Sequence, residues 1–182
     1  VKESEFFLRY SPNHNARPAV PISLIILHYT GMSSGEAALG WLCNPSSKVS
    51  AHYLVEEDGT IFALVEEDRR AWHAGAAQWR EQTNINDCSI GIEIVNPGHE
   101  HGYRPFPLVQ MEAVRDLTRD IMARHDIDAH NILAHSDVAP RRKKDPGELF
   151  DWAWLAEAGV GIWPEVNVHE AIEMENMCQV AD

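Results

Sequence analysis

Apolar positions in this chain fall into short runs with two distinct periods. Residues 22–27 are nearly all apolar and rich in β-branched side chains, and the run ends in His28-Tyr29-Thr30-Gly31. Such a run predicts a central strand buried on both faces. Residues 89–96 predict another strand. Alternation there sends Ile90, Ile92 and Ile94 to one face and Gly91, Glu93 and Val95 to the other. Residues 51–55 and 60–65 are β-rich and flank Asp58-Gly59, the composition of a hairpin. Residues 131–134 predict a short strand that closes on His135.

The helical period appears behind Pro107, where Leu108, Met111, Val114, Leu117, Ile121 and Met122 recur at three- and four-residue spacing. This predicts an amphipathic helix of about 18 residues with proline at its start. Ser33 or Ser34 caps a second helix over 35–43, with Ala38, Leu39, Trp41 and Leu42 expected inward. Leu149, Trp152, Trp154 and Leu155 predict a short helix before Gly159 and Gly161. Residues 1–21 read as an irregular N-terminal arm, 22–164 as the domain, and 165–182 as an acidic tail or extension.

Composition narrows the functional classes. The net charge of −13 argues against nucleic acid as a partner. No apolar run approaches the ~20 residues that span a bilayer, so membrane insertion is not expected. Three cysteines, Cys43, Cys88 and Cys178, with no CxxC, do not make a disulfide framework. A cytoplasmic setting is expected, with a periplasmic one open if an N-terminal export segment was trimmed. Oligomeric state is not legible.

Candidate chemistry gathers at the strand ends. His28 ends one buried strand and His135 another; each is either a satisfied core histidine or part of a site. Ten residues past His135 stands Asp145, beyond the basic run Arg141-Arg142-Lys143-Lys144. Alone, residues 135–147 are equally a polar surface loop. Glu93, in the middle of an apolar strand, faces a polar cleft, pairs structurally, or lies at a solvent-facing edge. His52 leads the hairpin and either lines a cleft or packs. Trp72-His73-Ala74-Gly75 is a hydrophobic plug or a cleft wall. Two imidazoles and one carboxylate make a catalytic zinc set with an open position. Glu93 then suits proton transfer and Lys143 oxyanion stabilisation, a combination that hydrolyses amides or esters.

The chain resembles the zinc-dependent N-acetylmuramoyl-L-alanine amidases of the type 2 amidase family. These share a fold with bacteriophage T7 lysozyme and the peptidoglycan recognition proteins. The resemblance rests on residues 26–31, on 50–55 with Asp58-Gly59, on 71–75, on Asn86-Asp87, on 89–93 and on 135–147, all in order. It implies an α/β fold: a single domain with a central mixed β-sheet flanked by helices. It implies Zn2+ held by His28, His135 and Asp145, with Glu93 as catalytic acid/base and Lys143 as the cation near the scissile carbonyl. Substrate contacts are expected from His52, Trp72, His73, Asn96 and Arg141. The implied partner is a muropeptide or peptidoglycan. It would be cut between N-acetylmuramic acid, or its 1,6-anhydro form, and L-alanine, in cell-wall recycling or turnover. Two other readings compete: a non-catalytic peptidoglycan sensor of the same fold, and a zinc peptidase cutting within the stem peptide.

Overall fold

Two strands that the apolar pattern singles out, β3 (Leu24–Tyr29) and β7 (Ser89–Ile94), lie side by side and parallel at the heart of a computed structural model that describes residues 6–164. Around them a six-stranded mixed sheet runs in the order β1-β5-β4-β7-β3-β8. Its other members are β1 (Phe6–Leu8), β4 (Tyr53–Val55), β5 (Ile61–Ala63) and β8 (Ile132–Ala134). The predicted hairpin is the antiparallel β4–β5 pair; the remaining pairings in this sheet are parallel. Strands β2 (His14–Ala16) and β6 (Arg69–Ala71) form a separate antiparallel pair.

Alternation divides the core between the faces of the sheet. Ile25 and Leu27 of β3, with Ile90, Ile92 and Ile94 of β7, pack against Met111, Val114, Leu117 and Ile121 of α3 (Leu108–His125). Each fully buried aliphatic side chain contributes roughly 1.5–3 kcal/mol, so this face anchors the fold. Gln110 fixes the helix over the strand ends, donating from Nε2 to Val55 O at 3.1 Å and Val95 O at 2.9 Å. Asp126, in the left-handed region, ends α3. On the opposite face Leu24 and Ile26 meet Leu133, and Val95 meets α1 (Gly35–Leu42), which Ser34 caps by accepting from Ala37 N–H. Short helices α2 (Ile85–Cys88), α4 (His135–Val138) and α5 (Trp152–Glu157) complete the elements.

The pattern misplaced three features. The segment read as irregular carries β1 and β2. Arg17, just after β2, donates from its guanidinium to the carbonyls of Glu67, Arg69, Asn86, Asp87 and Ser89 at 2.8–3.1 Å. Five N–H groups in a rigid fork can staple the arm to two separate segments at once. Trp41 was expected inward but is 50% exposed, and Leu108 is 62% exposed. The acidic segment 165–182 and Cys178 lie outside the described residues.

Candidate functional site

Register assembles the site. Across the β3–β7 pair His28 sits opposite Glu93, and across β3–β8 Leu27 sits opposite Ala134, so His28 and His135 are the next residues on neighbouring strands. Parallel neighbours are about 4.8 Å apart. Period two puts His28, Glu93 and His135 on the face away from α3, at the carboxyl ends of the strands, where α/β sheets place their sites. The chain then turns into α4, with Ala134 N–H donating to Asp137 Oδ2 at 2.8 Å. The loop beyond returns Asp145, whose carbonyl accepts from Ser136 N–H at 3.1 Å.

His28, His135 and Asp145 are buried and converge. The two Nδ1 atoms are 2.8 Å apart, and Asp145 Oδ2 is 3.1 Å from His28 Nδ1 and 3.0 Å from His135 Nδ1. Hydrogen bookkeeping assigns the tautomers. Ser89 donates its single hydroxyl proton to Ile85 O at 2.6 Å, so it accepts from His73 Nε2–H at 3.1 Å. His73 Nδ1 is then a lone pair and accepts from His28 Nε2–H at 3.0 Å. His135 Nε2–H donates to Ala74 O at 3.0 Å. Both ring hydrogens therefore point outward and both Nδ1 lone pairs inward, beside a carboxylate oxygen. Burial, reinforced by His135, lowers His28 to about 4, so its imidazole is neutral at physiological pH. Two imidazole nitrogens and a carboxylate oxygen on one point fit a divalent cation of borderline character.

His73 was expected at the cleft, and it borders the cavity while supporting His28 from behind. Its ring lies against Gly91, where a Cβ would overlap it. Its loop is held by Asn86 Oδ1, which accepts from His73 and Ala74 N–H at 3.2 and 2.8 Å. Sequence reasoning assigned no role to Ser89 as the end of this chain.

A cavity of about 460 Å³ opens over the cluster. Glu93 and Lys143 line it, as does Trp72. Oε2 of Glu93 is covered and has no hydrogen-bond partner among the described residues. Burial raises the Glu93 carboxyl to about 8; the Asp145 charge adds to this and Lys143 opposes it.

Three expected substrate contacts lie outside the cavity wall. His52 is fully buried; it accepts from Gly91 N–H at 3.0 Å and contacts Arg69 O at 3.2 Å, which makes it a packing residue beneath the sheet ends. Asn96 is also fully buried and folds its own loop, donating to Arg104 O at 2.7 Å and accepting from Gly98 N–H at 3.1 Å. Arg141 is exposed and is not among the residues that line the cavity. The cavity instead takes Arg142, whose Nη2 donates to Ala74 O at 2.7 Å and Ala76 O at 2.9 Å. His99 ties two loops together at the rim. It contacts the Tyr29 hydroxyl and Glu148 Oε2, each at 3.0 Å, and stacks on Tyr103. Tyr103 in turn donates to Pro146 O at 2.6 Å, steadying the segment just after Asp145.

Residues 18–148 match the family described as N-acetylmuramoyl-L-alanine amidase. The chain is 40% identical over 163 residues to the N-acetylmuramoyl-L-alanine amidase AmiD of Escherichia coli, an alignment covering 82% of this chain and 58% of AmiD. It is 35% identical over 162 residues to the 1,6-anhydro-N-acetylmuramyl-L-alanine amidase AmpD of the same organism, covering 79% and 86%. Among solved structures it is similar to E. coli AmiD in complex with the substrate anhydro-N-acetylmuramic acid-L-Ala-D-gamma-Glu-L-Lys. There the TM-score is 0.74 and the identity 40%, over 84% of this chain and 63% of that one. The chain thus spans less than two thirds of AmiD's length.

Two measurements check the site. Ser89→Ala removes the acceptor for His73 Nε2–H and should weaken zinc binding about tenfold in a chelator-competition titration; unchanged affinity would contradict the assigned tautomers. Glu93 with a raised pKa holds, in the folded state, a proton that the unfolded chain releases above about 4.5. Its burial therefore costs stability progressively as pH rises from there through about 8. In metal-stripped protein, the melting-temperature gain of Glu93→Gln over wild type should grow between pH 5 and pH 9; a pH-independent difference would refute the shift.

Proposed function

The chain belongs to the N-acetylmuramoyl-L-alanine amidase family, and we propose that it is a zinc-dependent hydrolase of the amide between an N-acetylmuramyl lactyl group, ordinary or 1,6-anhydro, and L-alanine of a stem peptide. The observation that carries this reading is the convergence of two imidazole lone pairs and one carboxylate oxygen within 3.1 Å, beside a buried carboxyl with a covered, unpartnered oxygen. We carry over to this chain the substrate class named for the AmiD complex, in which L-Ala is followed by D-γ-Glu and L-Lys.

Bound zinc would polarise the carbonyl and acidify a water. His28, His135 and Asp145 would hold it, with Ser89 and His73 fixing the His28 ring. Glu93 takes a proton from the attacking water as the new C–O bond forms. It then delivers that proton to the alanine nitrogen as the C–N bond breaks. A carboxyl poised near neutrality suits both transfers. Lys143 balances negative charge on the carbonyl oxygen. Trp72 offers an apolar surface to the sugar or its lactyl arm. Cys43 and Cys88 are free thiols, which suits a reducing, cytoplasmic setting and the recycling of wall fragments.

Incubating zinc-loaded protein with muropeptides and anhydromuropeptides, and identifying products by mass spectrometry, tests the reading. Intact stem peptide beginning with L-Ala is expected. Cleavage inside the peptide would establish the peptidase instead, and binding without turnover the sensor. Glu93→Ala should keep zinc yet lose at least about 100-fold in kcat; normal turnover would refute its role.

A further inference from the structure

We propose that Lys144 is a specificity residue: it pairs with the free α-carboxylate of a γ-linked glutamate, the second residue of the stem peptide. This rests on the amidase reading above. A peptide joined through the γ-carboxyl leaves the α-carboxylate unblocked, one residue beyond the scissile bond. Any site that takes such a peptide must neutralise that charge or leave it in water.

The basic run supplies four cations, and the structure accounts for three differently. Arg141 does not line the cavity. Arg142 spends its guanidinium on the carbonyls of Ala74 and Ala76. Lys143 is half-buried, and its charge bears on Glu93 and on His28. Lys144 borders the same cavity but is exposed, and it forms none of the ion pairs among the described residues. Glu148, the carboxylate whose charge feels Lys144, is engaged by His99 Nε2 at 3.0 Å.

Position supports the same role. Lys144 is the residue immediately before Asp145, so its backbone is anchored beside the metal group. A lysine side chain reaches about 6 Å from its Cα, nearly the span of two extended residues. Of the carboxylates on the cavity, Asp145 belongs to the cluster and Glu93 to the proton transfer, leaving Glu100. In a chain of net charge −13, a free lysine at the mouth of a cleft is a local reversal of sign. An ammonium on a flexible stem suits a carboxylate that arrives at the rim, where no bidentate geometry is imposed.

The test compares two synthetic substrates that differ at one atom. One is N-acetylmuramyl-L-Ala-D-isoglutamyl-L-Lys; the other is its D-isoglutaminyl counterpart, with a carboxamide in place of the α-carboxylate. Wild-type protein should favour the carboxylate by about tenfold in kcat/KM, and the ratio should shrink with added salt. In Lys144→Ala the ratio should fall close to one, and in Lys144→Glu it should invert. Dissociation constants of both compounds for zinc-loaded Glu93→Gln protein, with and without Lys144→Ala, read the same preference without turnover. Loss of turnover on both substrates with the binding preference intact would overturn the amidase reading and leave Lys144 in place. A wild-type protein indifferent to the α-carboxylate in binding, or a preference that survives Lys144→Ala, would overturn the proposal.

Discussion

Everything in this structure that bears on chemistry depends on three electron pairs being forced together. The Nδ1 atoms of His28 and His135 and Oδ2 of Asp145 stand at 2.8–3.1 Å from one another. Such a triangle is repulsive unless a positive charge sits within it. The fold meets that cost with rigid supports. Parallel register places the two histidines on adjacent strands, and the α3 face of the sheet buries the apolar side chains that hold those strands in place. Hydrogen bonds from both Nε2 atoms then fix which lone pair faces inward.

The supports extend outward in layers. Ser89 orients His73, and His73 orients His28. Gly91 is the position on β7 where the His73 ring can lie flat against backbone. Asn86 and Arg142 clamp the loop between, and Arg17 staples the arm beneath it to Ser89 and Asn86. Even the rim follows this logic, since Tyr103 and His99 restrain the turn that delivers Asp145. This density of polar support around three converging side chains distinguishes a prepared site from a chance meeting of surface histidines.

Much of this was legible in the chain, for physical reasons that differ by element. The central strands and α3 announce themselves because full burial and a one-sided apolar stripe leave strong periodic signals, and Glu93 stood out because it breaks one of them. His28, His135 and Asp145 were visible as residue types at strand ends and a loop, with the ordered motifs singling them out. What could not be read was direction. His52 and Asn96 sit in the same motifs, yet their side chains turn into the protein to satisfy backbone groups. Trp41 lies on a helix whose apolar stripe reaches past the core onto the cavity wall. The arm strands were missed because three-residue pairings leave almost no pattern, and Arg17 acts through backbone carbonyls that have no sequence signature.

The central claim is geometric, and one measurement addresses it directly. A crystal of the zinc-loaded protein, mapped by anomalous scattering at the zinc edge, should show one ion about 2.0–2.2 Å from Nδ1 of His28, Nδ1 of His135 and Oδ2 of Asp145, with Glu93 and Lys143 facing its open side. An ion bound through Nε2 of either histidine, or one that leaves Asp145 uncoordinated, would contradict the tautomers, the ligand set and the chemistry built on them.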